Sequence, residues 1–196
     1  MNFPFDDDIV LENDRVRLMP LKIGDTPKLL SVAIQDKNLL RYSPVAIHSE
    51  ALLDNYINGW VQERKNKTRY PFIIFDKTQQ SYGGSTSFMN ISNAHDRLEI
   101  GSTWIGKDFQ RTGLNRNCKY LLMSYAFEQL GLERLEFLTD ERNIQSRTAI
   151  EKIGGKLDGI LRHHILMLDG YRRNSYCYSI LHEEWPDIKR ERFGLL

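Results

Sequence analysis

Two cysteines in 196 residues are too few for a disulfide framework. Cys118 and Cys177 each sit among apolar or aromatic neighbours, which predicts two buried thiols in a reducing compartment and no zinc or other metal site. No apolar run approaches the roughly 20 residues that cross a bilayer. Met1 to Asp8 is acidic, unlike a secretory leader. The net charge of +1 leaves no large basic face for nucleic acid. One basic run, Arg64, Lys65, Lys67 and Arg69, reads as a solvated helix end. Repeats, low-complexity tracts and Gly/Ser linkers are also missing, so nothing divides the chain and residues 1–196 read as one cytoplasmic domain. With 41% hydrophobic and 27% charged residues, wholesale disorder is excluded.

Periodicity supplies the elements. Residues 15–19 alternate as a first strand. Asp25 reads as an N-cap, with Pro27 in the first turn and Leu29, Leu30, Ala33 and Ile34 on the inner face of a helix. A second helix begins near Ser49, where Leu52, Leu53, Tyr56, Ile57 and Trp60 recur at helical spacing. Strands follow at Tyr70–Phe75 and Ser85–Ile91, with Gly83-Gly84 as a turn or bulge between them. In the next strand, Arg97–Ile105, alternation places Leu98, Ile100, Ser102 and Trp104 on one face and Glu99, Gly101 and Thr103 on the other.

A polar loop, residues 106–113, then enters a long helix near Leu114 or Asn115. Leu114, Cys118, Leu121, Leu122, Tyr125 and Leu130 stripe it; Tyr120, Met123 and Phe127 add a second apolar side, and Gly131 stops it. A strand (Arg134–Thr139), a short helix from Asn143 to Gly154-Gly155, and a hairpin (Lys156–Leu181) turning at Asp169-Gly170 complete the pattern. Ala149, Ile150 and Ile153 face inward on that short helix. An antiparallel meander with one β-loop-α-β crossover predicts an α+β, or mixed α/β, fold.

The loop before the long helix is where an anion fits. A helix N-terminus offers free N–H groups and positive potential. Gly113 permits close approach, and Arg111 and Arg116 add charge. Phosphate or pyrophosphate is the natural ligand, although Gly113 also has the simpler reading of shaping a helix entry. No Gly-x-x-x-x-Gly-Lys-Ser/Thr or Gly-x-Gly-x-x-Gly occurs.

Gln110-Arg111-Thr112-Gly113-Leu114-Asn115 resembles the Gln/Arg-x-x-Gly-x-Gly/Ala acetyl-CoA loop of the GCN5-related N-acetyltransferase (GNAT) superfamily. Asn143 to Gly154 is similar to the Asn-x-x-Ser-x-x-Ala-x-Glu-Lys-x-Gly segment of its ribosomal-protein alanine/serine acetyltransferase branch. The tail, from Leu161-Arg162 through Asp169-Gly170-Tyr171 to Glu184-Trp185, resembles that branch as well. Asn115 stands where the family usually has Gly or Ala, and Asn174 where this branch often has an acid.

The resemblance implies a GNAT-like fold: a central, mostly antiparallel sheet of about seven strands with about four helices, opening as a V between strands 97–105 and 134–139. It implies that acetyl-CoA is the co-substrate, held by Gln110, Arg111, Thr112, Gly113, Leu114, Asn115 and Arg116. Main-chain groups at Trp104 and Ile105, together with Asn143, then take the pantetheine arm. The acceptor is a primary amine: a protein N-terminus by the branch resemblance, or else a small molecule such as a polyamine, amino acid or antibiotic. A homodimer joined through the final strands is also implied. Tyr42, Tyr56 and Trp60 fall where this fold walls the acceptor.

Amine attack on a thioester needs a base for the ammonium proton, a polarised carbonyl and a proton for the thiolate. Glu99, opposite Leu98 and Ile100, is the candidate base; Glu136 and a water relay are alternatives. Ser146, three residues after the cap Asn143 and on the face of Ala149, Ile150 and Ile153, is the candidate group for the thiolate. Helix capping is its other reading. A non-catalytic acyl-CoA sensor is the rival from another functional class. His163-His164 are neighbours on a strand, which sends them to opposite faces; His48, His95 and His182 are isolated.

Overall fold

The computed structural model describes residues 1–194. Its elements are β1 (Leu11–Glu12), β2 (Val16–Pro20), α1 (Thr26–Ala33), α2 (Glu50–Lys65), β3 (Arg69–Asp76), β4 (Ser81–Ser92), β5 (Arg97–Ile105), α3 (Leu114–Ser124), β6 (Arg134–Asp140), α4 (Ile144–Lys152), β7 (Lys156–Leu166), β8 (Arg172–Leu181) and α5 (Trp185–Phe193). The strands form one sheet in the order β1-β2-β3-β4-β5-β6-β8-β7. Among the described strands only β5 and β6 are parallel, because α3 crosses over between them. The mixed α/β architecture is the expected one, with β1 and α5 added to the expected strands and helices. Polar residues fill most of α5 (Asp187, Lys189, Arg190, Glu191, Arg192), so its apolar stripe is thin.

Opposed residues of antiparallel strands share a face, and the two faces take different helices. Tyr70, Phe72, Phe88 and Ile100 lie on one, where Phe88 stacks on Tyr125 at 6.2 Å. Phe127–Trp185 and Tyr120–Phe193 ring contacts fix α5 against the α3 segment there. The other face carries α1 and α2. Ser49 caps α2 by accepting from the Leu52 N–H, and Leu53, Tyr56, Ile57 and Trp60 are buried as their spacing predicts. Each fully buried ring or aliphatic side chain contributes about 2–3 kcal/mol of apolar burial.

Several expectations are corrected by the packing. On α1 the buried residues are Thr26, Leu29, Val32 and Ala33, while Ile34, at the C-cap, is 51% exposed. Met123 and Phe127, of the expected second apolar side, are buried as read, together with Ala126; Tyr125–Gln129 wind as a π turn, and Leu121 and Leu130 of the expected stripe are only half-buried. Gly83-Gly84 lie within β4 as a bulge; the turn from β3 is at residues 77–80. Cys118 is buried, but Cys177 only in part. Arg69 is no solvated helix end: it is buried, paired with Glu63 and stacked over Trp60. His163 sits at φ +49° where the β7–β8 register slips, so simple strand alternation does not apply to it.

Candidate active site

β5 and β6 pair at only three positions, Arg97–Arg134, Leu98–Leu135 and Glu99–Glu136, although β5 runs on to Ile105 and β6 to Asp140. Beyond Glu99 they part, which is the expected V. A bulge in β5 helps to open it: Ser87 opposes Gly101 while Ser85 opposes Trp104, and Ser102 adopts φ +49°. The extra residue reverses the expected alternation. Ser102 Oγ accepts from Arg69 (2.9 Å) and the Trp104 indole donates to Tyr56 of α2 (2.9 Å), so both lie on the Glu99 side. Thr103 turns to the α3 side, where its hydroxyl accepts from Lys119 (3.2 Å). Gly84, at φ +151°, lies under the Trp104 carbonyl, which a Cβ would strike. Tyr56→Phe is expected to leave the buried Trp104 N–H unpaired and to cost about 1–3 kcal/mol in denaturant unfolding.

Glu99 is 4% exposed. Burial pushes its carboxyl up to about 7, against the smaller opposing effect of the Asn90 amide, which donates to it at 2.7 Å. Glu136 raises it further, whereas Arg69 and Arg173 pull it down. A carboxylate at about 7 is poised as a general base. Glu136 itself is occupied by two guanidiniums, Arg97 (2.9 Å) and Arg134 (2.8 Å). Glu136 lines a cleft of about 490 Å³ together with Arg97, Arg134, Asp158 and Cys177 among others, and Asn90, the donor to Glu99, lies on its wall. Lys119, buried under the opposite face, is pulled down to about 8 by the loss of water around its ammonium.

The anion loop has the backbone that an anion needs. Arg111 (φ +61°) and Gly113 (φ +87°) are both left-handed, turning successive N–H groups toward one concavity. Among the described residues the N–H groups of Gly113, Asn115 and Arg116 have no protein acceptor, and a Cβ at Gly113 would meet nothing within 4 Å. Asn115 Oδ1 is buried without a partner; with the amide turned over, its Nδ2 becomes a donor beside the same N–H groups. The loop is braced from within: Gln110 donates to the Ile105 carbonyl (2.9 Å) and Thr112 to the Phe109 carbonyl (2.7 Å). These features fit a diphosphate. Arg111 is exposed beside them, but Arg116 turns toward α5, donating to the Arg192 carbonyl and lying over Phe193.

Asn143 caps α4, its Oδ1 accepting from the Ser146 N–H at 3.1 Å. Its Nδ2 has no acceptor among the described residues, and neither has the Ser146 hydroxyl. Asn174 supplies no charge, yet Glu141 does: its carboxylate accepts from Asn174 Nδ2 (3.1 Å) and from the Tyr171 hydroxyl. Asn90, Arg69, Arg173 and Arg15 are site neighbours that periodicity alone does not mark. Arg15 reaches Thr112 Oγ1 (3.2 Å) across 97 positions, and Asn90 reaches Glu99 through a strand turn.

Residues 15–156 match the family described as the acetyltransferase (GNAT) domain. The chain is 33% identical over 182 residues to the "Putative ribosomal N-acetyltransferase YdaF" of Bacillus subtilis (strain 168), spanning 90% of this chain and 97% of that protein. A crystal structure of a GCN5-related N-acetyltransferase from Brucella melitensis matches with a TM-score of 0.87 and 26% identity over 95% of this chain and 85% of that one. Mycobacterium smegmatis RimJ, solved in complex with CoA-disulfide, shares the fold at a TM-score of 0.77 and 20% identity, over 91% and 88% of the two chains. Parted parallel strands, a glycine-shaped loop at a helix N-terminus and a family match over most of the sequence agree with one another, and the chain belongs to the GNAT acetyltransferase family.

Proposed function

We propose that this chain is an acetyl-CoA-dependent N-acetyltransferase that acetylates the α-amine of a protein N-terminus by direct attack in a ternary complex. One observation carries the reading: a buried carboxylate, Glu99, stands where the parallel strands part, and its burial pushes its ionisation up toward the neutral range. The diphosphate of acetyl-CoA rests on the N–H groups of residues 113–116, with Gln110, Thr112 and Leu114 shaping the loop and Arg111 adding charge. The pantetheine arm enters the V beside Trp104 and Ile105, and Asn143 offers its free amide hydrogens.

Glu99 accepts the ammonium proton, directly or through water, and the amine attacks the thioester carbonyl. The carbon–sulfur bond then breaks, and the thiolate, hydrogen-bonded by the Ser146 hydroxyl, takes up through water the proton that the acylated nitrogen gives up, so that amide and thiol are the products. The base strength favours this acceptor. A peptide α-ammonium, near 8, gives up its proton to a carboxylate base more readily than an alkylammonium near 10.4. The relative named for ribosomal N-acetylation supports the same choice, and the free thiols fit a reducing cytoplasm.

Thiol release from acetyl-CoA, assayed with N-terminal peptides and with small amines, tests the reading. Peptide turnover is expected; polyamine turnover in its place, or tight acetyl-CoA binding without turnover, contradicts it. Ser146→Ala is expected to lower kcat about tenfold with KM unchanged. Unchanged turnover would leave Ser146 a role in the helix alone.

A further inference from the structure

Arg173 is a buried cation without a counter-ion. It is 7% exposed, and among the described residues no carboxylate lies within 4.0 Å of it. Its Nε–H donates to Ser175 Oγ at 3.0 Å and its Nη1 to the Tyr42 carbonyl at 3.4 Å. A guanidinium has about five N–H donors; with two engaged, three have no protein acceptor. The nearby Asp140 does not serve, because Arg142 holds both of its oxygens, at 3.0 and 2.8 Å.

The register fixes where this cation stands. Glu99 pairs with Glu136, Glu136 with Ser179, Leu138 with Cys177 and Asp140 with Ser175. Arg173, two residues beyond Ser175, therefore lies on the Glu99 face at the open end of the V. Its bond to Tyr42 ties it to the segment between α1 and α2. Arg69 is the other cation near Glu99, but it is engaged with Glu63, Ser102 and the Met89 sulfur. Arg69 is ion-paired with Glu63, whereas Arg173 has no carboxylate partner among the described residues, so its unengaged donors are the ones open to a ligand.

Resting on the acetyltransferase reading, we infer that Arg173 binds the carbonyl oxygen next to the acceptor amine, so that the site selects α-amino carbonyl compounds, the first residue of a peptide above all. The amine then faces Glu99 while its carbonyl accepts from the guanidinium. Two guanidiniums around one carboxylate also oppose a second ammonium, which disfavours polyamines. A free amino acid offers a carboxylate to the same donors, so it forms a separate arm of the test.

The test compares an alanine-initiated peptide, free alanine, spermidine and 2,2-difluoroethylamine, whose ammonium is acidified toward that of a peptide without any carbonyl. The wild-type protein is expected to prefer the peptide over difluoroethylamine by about 100-fold in kcat/KM. Arg173→Met is expected to abolish most of that preference through KM for the peptide, with Arg173→Lys intermediate and acetyl-CoA affinity unchanged; losing the cation also raises Glu99, which acts on both acceptors alike, so the readout is the ratio of the two acceptors at one pH. Equal losses on both acceptors, no wild-type preference, or a preference for spermidine overturns the inference; a preference for free alanine overturns its peptide assignment. Should Arg173→Met fail to fold, the wild-type acceptor series decides alone. Turnover without the preference leaves the acetyltransferase reading standing, whereas acetyl-CoA binding with no acceptor turned over removes both.

Discussion

Glu99→Gln is expected to lower kcat about 10²–10³-fold at pH 8 while making the protein more stable. In the wild type, kcat/KM rises with pH as Glu99 loses its proton and levels off above about 7, the value to which burial pushes the carboxyl; the Gln variant lacks this limb. The stability effect follows from the same shift. An unfolded glutamate ionises at 4.5 and the folded one at about 7, so the folded protein holds the extra proton between those values. Wild-type stability falls as pH rises through that window. The Gln variant avoids the loss and gains about 3 kcal/mol above pH 7, shrinking to nothing below 4.5. Denaturant titrations at pH 4.5 and 8 measure the gain. Full activity in the variant across pH would remove Glu99 as the base, and equal stability at both pH values would contradict its buried ionisation.

Gly113→Ala is expected to separate folding from ligand binding. A left-handed alanine costs about 1–2 kcal/mol, and the added Cβ meets no protein atom within 4 Å. On the proposed reading the space it enters is the one the diphosphate takes, so acetyl-CoA affinity is expected to fall about 100-fold in calorimetry. Gly170→Ala is the control: that glycine is also left-handed (φ +81°) and also has open space, but it lies in the β7–β8 turn. It should carry the same strain and leave acetyl-CoA binding intact. Equal affinity in both variants would contradict the loop assignment.

Local signals made much of this arrangement readable. The Ser49 cap and the Leu53, Tyr56, Ile57, Trp60 stripe placed α2, and alternation set Glu99 apart from Leu98 and Ile100. Non-local effects were hidden. A bulge at Ser102 needs no special residue, so Trp104 was assigned to the wrong face. The charged sequence of α5 concealed the helix that draws Arg116 away from the anion loop. Arg69 looked like one of four surface cations until folding placed it between Trp60 and Ser102. The acid that Asn174 lacks comes from Glu141, 33 positions away. Pairings of this kind depend on strand register, which periodicity within one segment does not encode.

A crystal structure with acetyl-CoA tests the central claim most directly. The account predicts diphosphate oxygens within about 3 Å of the backbone nitrogens of residues 113–116, the pantetheine arm between β5 and β6, and the acetyl carbon facing Glu99 directly or through one water. Acetyl-CoA seated away from this loop, or a thioester on the far side of the sheet from Glu99, would contradict it.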